Sequence, residues 1–157
     1  MDLRASSSTR SFRPDGERFR WDDVDVLIYK DEGSAPFRDV TRQVLFEEAE
    51  QGCQLRYFEV APGGHTTLER HVHVHAVAIV NGRGSVLIGH EVRDVAAFDL
   101  CSVPSLTWHQ FRAADDAPLG FLCLVNSERD RPQLPTDAEL ADLRRNPAVA
   151  AFIRTNQ

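Results

Sequence analysis

The chain has little of what would place it outside a reducing, aqueous setting. It carries three cysteines, Cys53, Cys101 and Cys123, far apart and without a CxxC pair. That excludes a disulfide framework and a zinc knuckle, and free thiols suit the cytoplasm. No apolar run approaches the roughly 18 residues that a transmembrane helix needs. The start, MDLRASSSTRSFRPDG, has no apolar h-region and predicts no secretory signal. Basic residues are not in excess: the formal net charge is −6, which argues against nucleic acid or an anionic membrane as a partner. Of 18 basic residues only Lys30 is a lysine. There is no phosphate-binding glycine loop and no Ser-His-Asp arrangement.

What is present fits one globular domain. The chain has 157 residues, 42% hydrophobic and 27% charged, enough for a real core. Residues 1–20, rich in Ser and Arg, read as a flexible N-terminal arm. Short β-rich runs follow over 21–130: Val24–Tyr29, Val40–Glu47 and Cys53–Val60, the last ended by Pro62-Gly63-Gly64. Thr66–His71 and His75–Asn81 come next, then Gly82-Arg83-Gly84 as a turn. Ser85–Ile88, Glu91–Val95, Asp99–Val103, Trp108–Arg112 and Leu119–Val125 complete the series. Short strands with Gly, Pro or Asp turns at close intervals predict an all-β barrel or sandwich. Residues 131–157 predict a tail of short helices. Thr136 to Glu139 fits a capping box, and Pro147 fits the first position of a second helix.

Four of the six histidines fall between Gly63 and Gly84: His65, His71, His73 and His75. Glu69 sits among them. Residues two apart on a strand share a face, so Glu69 and His71 point the same way. A reversal before His75 returns that residue to the same interior. His109, in VPSLTWHQF, can enter from a later strand. Three imidazoles and a carboxylate around one point suit Fe(II) or Mn(II), with Ni, Cu or Zn also compatible. His65 reads as a rim or surface residue and His90 as a turn residue. His73 falls in the connecting turn, and the choice between His73 and Glu69 as a ligand stays open. Parity puts Phe111 on the face of His109, and Cys123 is a candidate lining residue. Tyr57, which shares a face with Glu59, could offer substrate a hydroxyl. Trp108 should point outward.

The stretch resembles the cupin superfamily, whose motifs are G-x5-HxH-x3–4-E-x6-G and P-x-G-x2-H-x3-N. Gly82 matches the closing glycine. Counting back puts His75 at the usual Glu position, His71 at the second His of HxH and Glu69 at the first. Pro104 and His109 match the second motif, while Leu106 and Ala113 replace its glycine and asparagine. The resemblance covers about Leu55–Val125. It implies a single cupin barrel (a double-stranded β-helix or jelly roll) with a divalent transition metal at Glu69, His71, His75 and His109. It also implies a homodimer. The function expected is a dioxygenase or oxygenase acting on a small, partly apolar substrate that coordinates the metal, with Glu69 as a possible base. The alternatives are a redox-neutral lyase, isomerase or decarboxylase, and a non-catalytic ligand- or sugar-binding cupin.

Overall fold

The computed structural model describes residues 9–30 and 35–156. The eight strands are β1 (Leu27–Ile28), β2 (Arg38–Glu48), β3 (Cys53–His65), β4 (His75–Ile88), β5 (Glu91–Ala96), β6 (Leu100–Val103), β7 (His109–Ala113) and β8 (Leu119–Asn126). Two helices close the chain, α1 (Asp137–Leu143) and α2 (Pro147–Phe152). Every strand pairing is antiparallel. The two longest strands, β3 and β4, each pair with both β7 and β8, which closes the sheet on itself as a barrel. Closure leaves the ring no free edge. Phe58, Val60, Val77, Ile79, Phe111, Phe121 and Val125 fill the interior.

The strands are longer than their sequence signals. β4 runs unbroken through Gly82-Arg83-Gly84, where a turn was expected. Gly82 has φ +66°, and a Cβ there would lie 1.8 Å from the Pro118 carbonyl oxygen. A Cβ on Gly84 would lie 2.0 Å from that of Arg112. The glycines therefore allow β7 and the start of β8 to approach β4 closely; they do not end it. β3 likewise continues past Pro62 to His65, with Gly63 donating its N–H to Ala114 (2.9 Å). Thr66–His71, expected as a strand, is irregular. Only Glu69 and Arg70 make isolated bridges, to His109 and Gln133. Of Val24–Tyr29, only Leu27 and Ile28 pair with β2.

Residues 1–8 of the expected arm lie outside the described residues. Beyond them the arm is folded. Phe12 bridges to Trp21 and Asp15 to Arg18, forming a small hairpin. Phe19 stacks on Tyr57 of β3 and Trp21 meets it edge-on. The buried Glu59 carboxylate accepts from Phe19 N (2.9 Å), Arg20 (3.1 Å) and the Tyr57 hydroxyl (2.8 Å). Aromatic burial and a shared carboxylate hold the hairpin on the barrel's outer wall.

The tail follows its sequence signals. Thr136 caps α1, accepting from Glu139 N (3.3 Å) while Glu139 accepts from Thr136 N (2.9 Å). Asn146 caps α2, whose first residue is Pro147. Leu143, Val149, Phe152 and Ile153 pack with Leu68 and Leu87 against the barrel. Thr136→Ala is expected to cost about 1 kcal/mol, the usual loss at an N-cap. A lower thermal midpoint checks this; an unchanged one would mean the tail is outside the cooperative unit.

Candidate metal centre

Each histidine reaches the barrel interior from a different place. His75 opens β4 and His109 opens β7. His71 belongs to the irregular segment, which is stitched to β7 by Glu69 N to His109 O (3.2 Å) and His109 N to Glu69 O (3.0 Å). Leu106 N also donates to His71 O (2.7 Å). The three rings form a nearly equilateral triangle, with centroid separations of 4.9, 4.8 and 5.0 Å. One ring nitrogen from each lies within 4.8 Å of the others.

Hydrogen bonds select which nitrogen faces inward. His71 Nδ1 donates to the His73 carbonyl (2.7 Å) and His109 Nδ1 to that of Thr107 (2.9 Å). A carbonyl only accepts, so both rings carry their proton on Nδ1 and leave Nε2 as a lone pair. His75 Nδ1 meets Cys123 Sγ at 3.1 Å, and its Nε2 is buried without any partner. An orphaned buried nitrogen is costly unless something binds it. Three inward lone pairs oriented by outer hydrogen bonds fit a divalent transition metal, and His71, His75 and His109 would hold it.

Electrostatics agree with this. Burial pulls all three imidazoles below their ordinary range, and the neighbouring rings add repulsion at His71 and His75. His75 is pushed down to about 2 and His109, chiefly by burial, to about 4. Neutral imidazoles at pH 7 present no competing proton to a metal.

Glu69 stands beside this triangle. Its carboxylate is buried, lines the same cavity and is paired with Lys30. His73 also lines the cavity, its ring stacked on His71 at 3.6 Å. Its Nδ1 is held by Asp130 (2.7 Å), which also accepts from the backbone N–H of Val72 and His73. His73→Ala is therefore expected to leave metal content near one equivalent, with a cost below about tenfold in affinity. Elemental analysis of the purified variant checks this, and loss of the metal would make His73 a ligand.

The cavity measures about 110 Å³. Phe111 and Cys123 line it, as expected from alternation. Tyr57 does not. It pairs across with Leu122, one rung from the Arg56–Cys123 pair and so on the opposite face of the same wall, and lies buried under the N-terminal hairpin. Its hydroxyl serves Glu59. His65 is buried rather than at a rim, because β3 extends to it and pairs it with Arg38 and Arg112. Trp108 points away from the cavity and packs near Leu68 and the helices. His90 sits in an exposed turn.

Other lining residues escaped the sequence. Tyr29, Lys30, Arg56, Phe58, Arg129 and Asp130 all face the cavity. The lining thus mixes aromatic and charged groups, with Lys30 over the Tyr29 ring (5.2 Å) and Arg56 over that of Phe58 (4.9 Å). Arg56 had a usable signal, since it lies directly across from Cys123 and cross-strand partners share a face. Arg129 and Asp130 come from an irregular segment that has no periodicity to read. Burial pushes the Cys123 thiol up, against Arg56, whose guanidinium donates to Sγ at 3.6 Å and pulls it down.

The chain is similar to known proteins over nearly its whole length. The cupin domain profile matches residues 56–125. A 1-methylthio-D-xylulose 5-phosphate methylsulfurylase of Rhodospirillum rubrum is 59% identical over 148 residues, covering 94% of this chain and 95% of that protein. A cupin 2 conserved barrel domain protein from Rhodopseudomonas palustris has a TM-score of 0.87 at 53% identity, over 94% of this chain and 100% of that one. A cupin-2 domain protein from Rhodospirillum rubrum has a TM-score of 0.83 at 60% identity, over 90% and 95%. Sequence identity of this order over nearly the full length, together with the profile match across the strands that form the cavity, means that the chain belongs to the cupin superfamily.

Proposed function

We propose that this chain is a metal-dependent methylthio transferase acting on a 1-methylthio-pentulose 5-phosphate. The observation that carries the proposal is Cys123: a thiol inside the three-histidine cavity, in contact with His75 (3.1 Å) and Arg56 (3.6 Å). The Rhodospirillum rubrum relative, named for a methylthio sugar phosphate, supports the substrate class.

His71, His75 and His109 would hold a divalent ion, which would supply Lewis acidity beside the reacting thiol. Cys123 Sγ attacks the methylthio sulfur. The C1–S bond breaks and an S–S bond forms, leaving a methyl disulfide on Cys123. The C1–S electron pair passes to C1 and delocalises onto the C2 oxygen. Glu69 is the base that takes the thiol proton, and C1 gains a proton to become methyl. The carbon is reduced by two electrons and the two sulfurs are oxidised by two, so the step balances without dioxygen. An external thiol then exchanges with the methyl disulfide and frees Cys123. Phe111, Phe121 and Phe58 shield the reacting sulfur from water.

The oxygenase expectation is carried by the superfamily resemblance alone, whereas the thiol and the relative both favour group transfer. Metal-loaded protein mixed with the methylthio-pentulose phosphate, without added thiol, is expected to release about one equivalent of the 1-deoxy sugar phosphate. Peptide mass spectrometry is expected to place one methylthio group on Cys123. Added monothiol should then allow turnover. No deoxy product, or dioxygen consumed in step with product, would sink the proposal.

The homodimer is part of the proposal. Leu100 (82% exposed) and Leu124 (46%) lie on the outer faces of β6 and β8, an apolar surface suited to a second copy. A monomeric mass by light scattering would count against it.

A further inference from the structure

Three arginines near the cavity have uncommitted donors. Arg56 lines it from β3, Arg129 from the segment after β8, and Arg42 lies on β2. Arg42 pairs across with Phe58 and Val44 with Arg56, so Arg42 and Arg56 are diagonal neighbours on the interior face. The Nε atoms of Arg42 and Arg56 are buried and have no hydrogen-bond partner. Arg129 donates one terminal nitrogen to the Asn126 carbonyl (2.8 Å), which leaves its other donors available. Burial lowers its pKa, and repulsion from Arg56 and Arg42 lowers it further.

The carboxylates lining the cavity do not answer this charge. Asp130 is committed to Val72, His73 and the His73 ring, and Glu69 to Lys30. Glu47 acts on Arg129 electrostatically, but no ion pair joins Glu47 to any of the three among the described residues. Clustered guanidiniums with buried unused donors in a chain of net charge −6 call for an anion with several oxygens.

We infer that Arg56 and Arg129, reinforced by Arg42, form the seat for the terminal phosphate of the substrate. This rests on the sugar-phosphate reading above. Phosphate capture there would set the sugar's reach towards the histidines.

D-Xylulose 5-phosphate, which lacks the methylthio group and cannot react, tests the seat apart from the chemistry. Its binding to the metal-loaded enzyme, measured by calorimetry, is expected to be at least roughly 100-fold tighter than that of D-xylulose, and to weaken as salt rises. Arg129→Ala is expected to reduce this preference by about tenfold or more, and Arg42→Ala by a smaller factor, with binding of D-xylulose unchanged. Inorganic phosphate should compete with the phosphorylated sugar, and not with the free one. Equal affinity for the two sugars, or equal losses for both in Arg129→Ala, would overturn the seat. Phosphate-dependent, Arg129-dependent binding without methylthio transfer would uphold it and refute the proposed reaction.

Discussion

His109→Ala is expected to empty the metal centre. The residue is 3% exposed and supplies one of the three imidazoles grouped for a metal among the described residues. Removing a group that merely supports a ligand costs 10- to 100-fold in metal affinity, so removing the ligand should cost more than about 100-fold. Two histidines and a few waters cannot match three preorganised nitrogens. Metal content after purification and dialysis should fall from about one equivalent to below about a tenth. The fold should survive, because the link between the His71 segment and β7 is made by the backbones of Glu69 and His109. A circular dichroism spectrum like that of the metal-free parent would confirm that. A variant that keeps full metal would remove His109 from the site.

Cys123→Ser should have the second large effect, of a different kind. Serine is close in size, and its hydroxyl can keep the contact with His75 Nδ1. Metal content should therefore stay near one equivalent. Transfer should fall by roughly 10^4-fold or more, the scale on which a covalent nucleophile's loss is felt. Serine cannot form the S–S bond that receives the methylthio group. A rate within tenfold of the parent would show that Cys123 only fills space. The two variants thus separate holding the metal from performing the transfer.

Much of this was legible in the sequence, for identifiable reasons. The barrel showed as short β-rich runs, and the starts of both helices were written in Thr136, Glu139 and Pro147. His71, His75 and His109 showed because imidazoles at those separations have few other uses in a barrel interior. Tyr57 misled because alternation gives two faces and does not say which is inner. The aromatic hairpin at Phe12–Trp21 makes the outer face as buried as the inner one. Gly82 and Gly84 misled because a glycine that ends a strand and one that admits a neighbouring carbonyl look alike in one dimension. Glu69 was legible as a cavity residue. Its partner Lys30 was not, being 39 positions away and joined to it only by the fold.

Arg70 has an optical consequence. Its guanidinium lies over the Trp108 ring at 4.4 Å and also grips Glu139 (2.8 Å) and Gln133 (3.1 Å). Trp108 is the neighbour of His109 in the chain, and Arg70 the neighbour of His71. The indole therefore sits where the histidine scaffold, the tail helix and a positive charge meet. With Trp21, the second indole of the chain, replaced by Phe, the fluorescence of Trp108 is expected to report whether the tail is docked on the segment that carries the metal site, without any added dye.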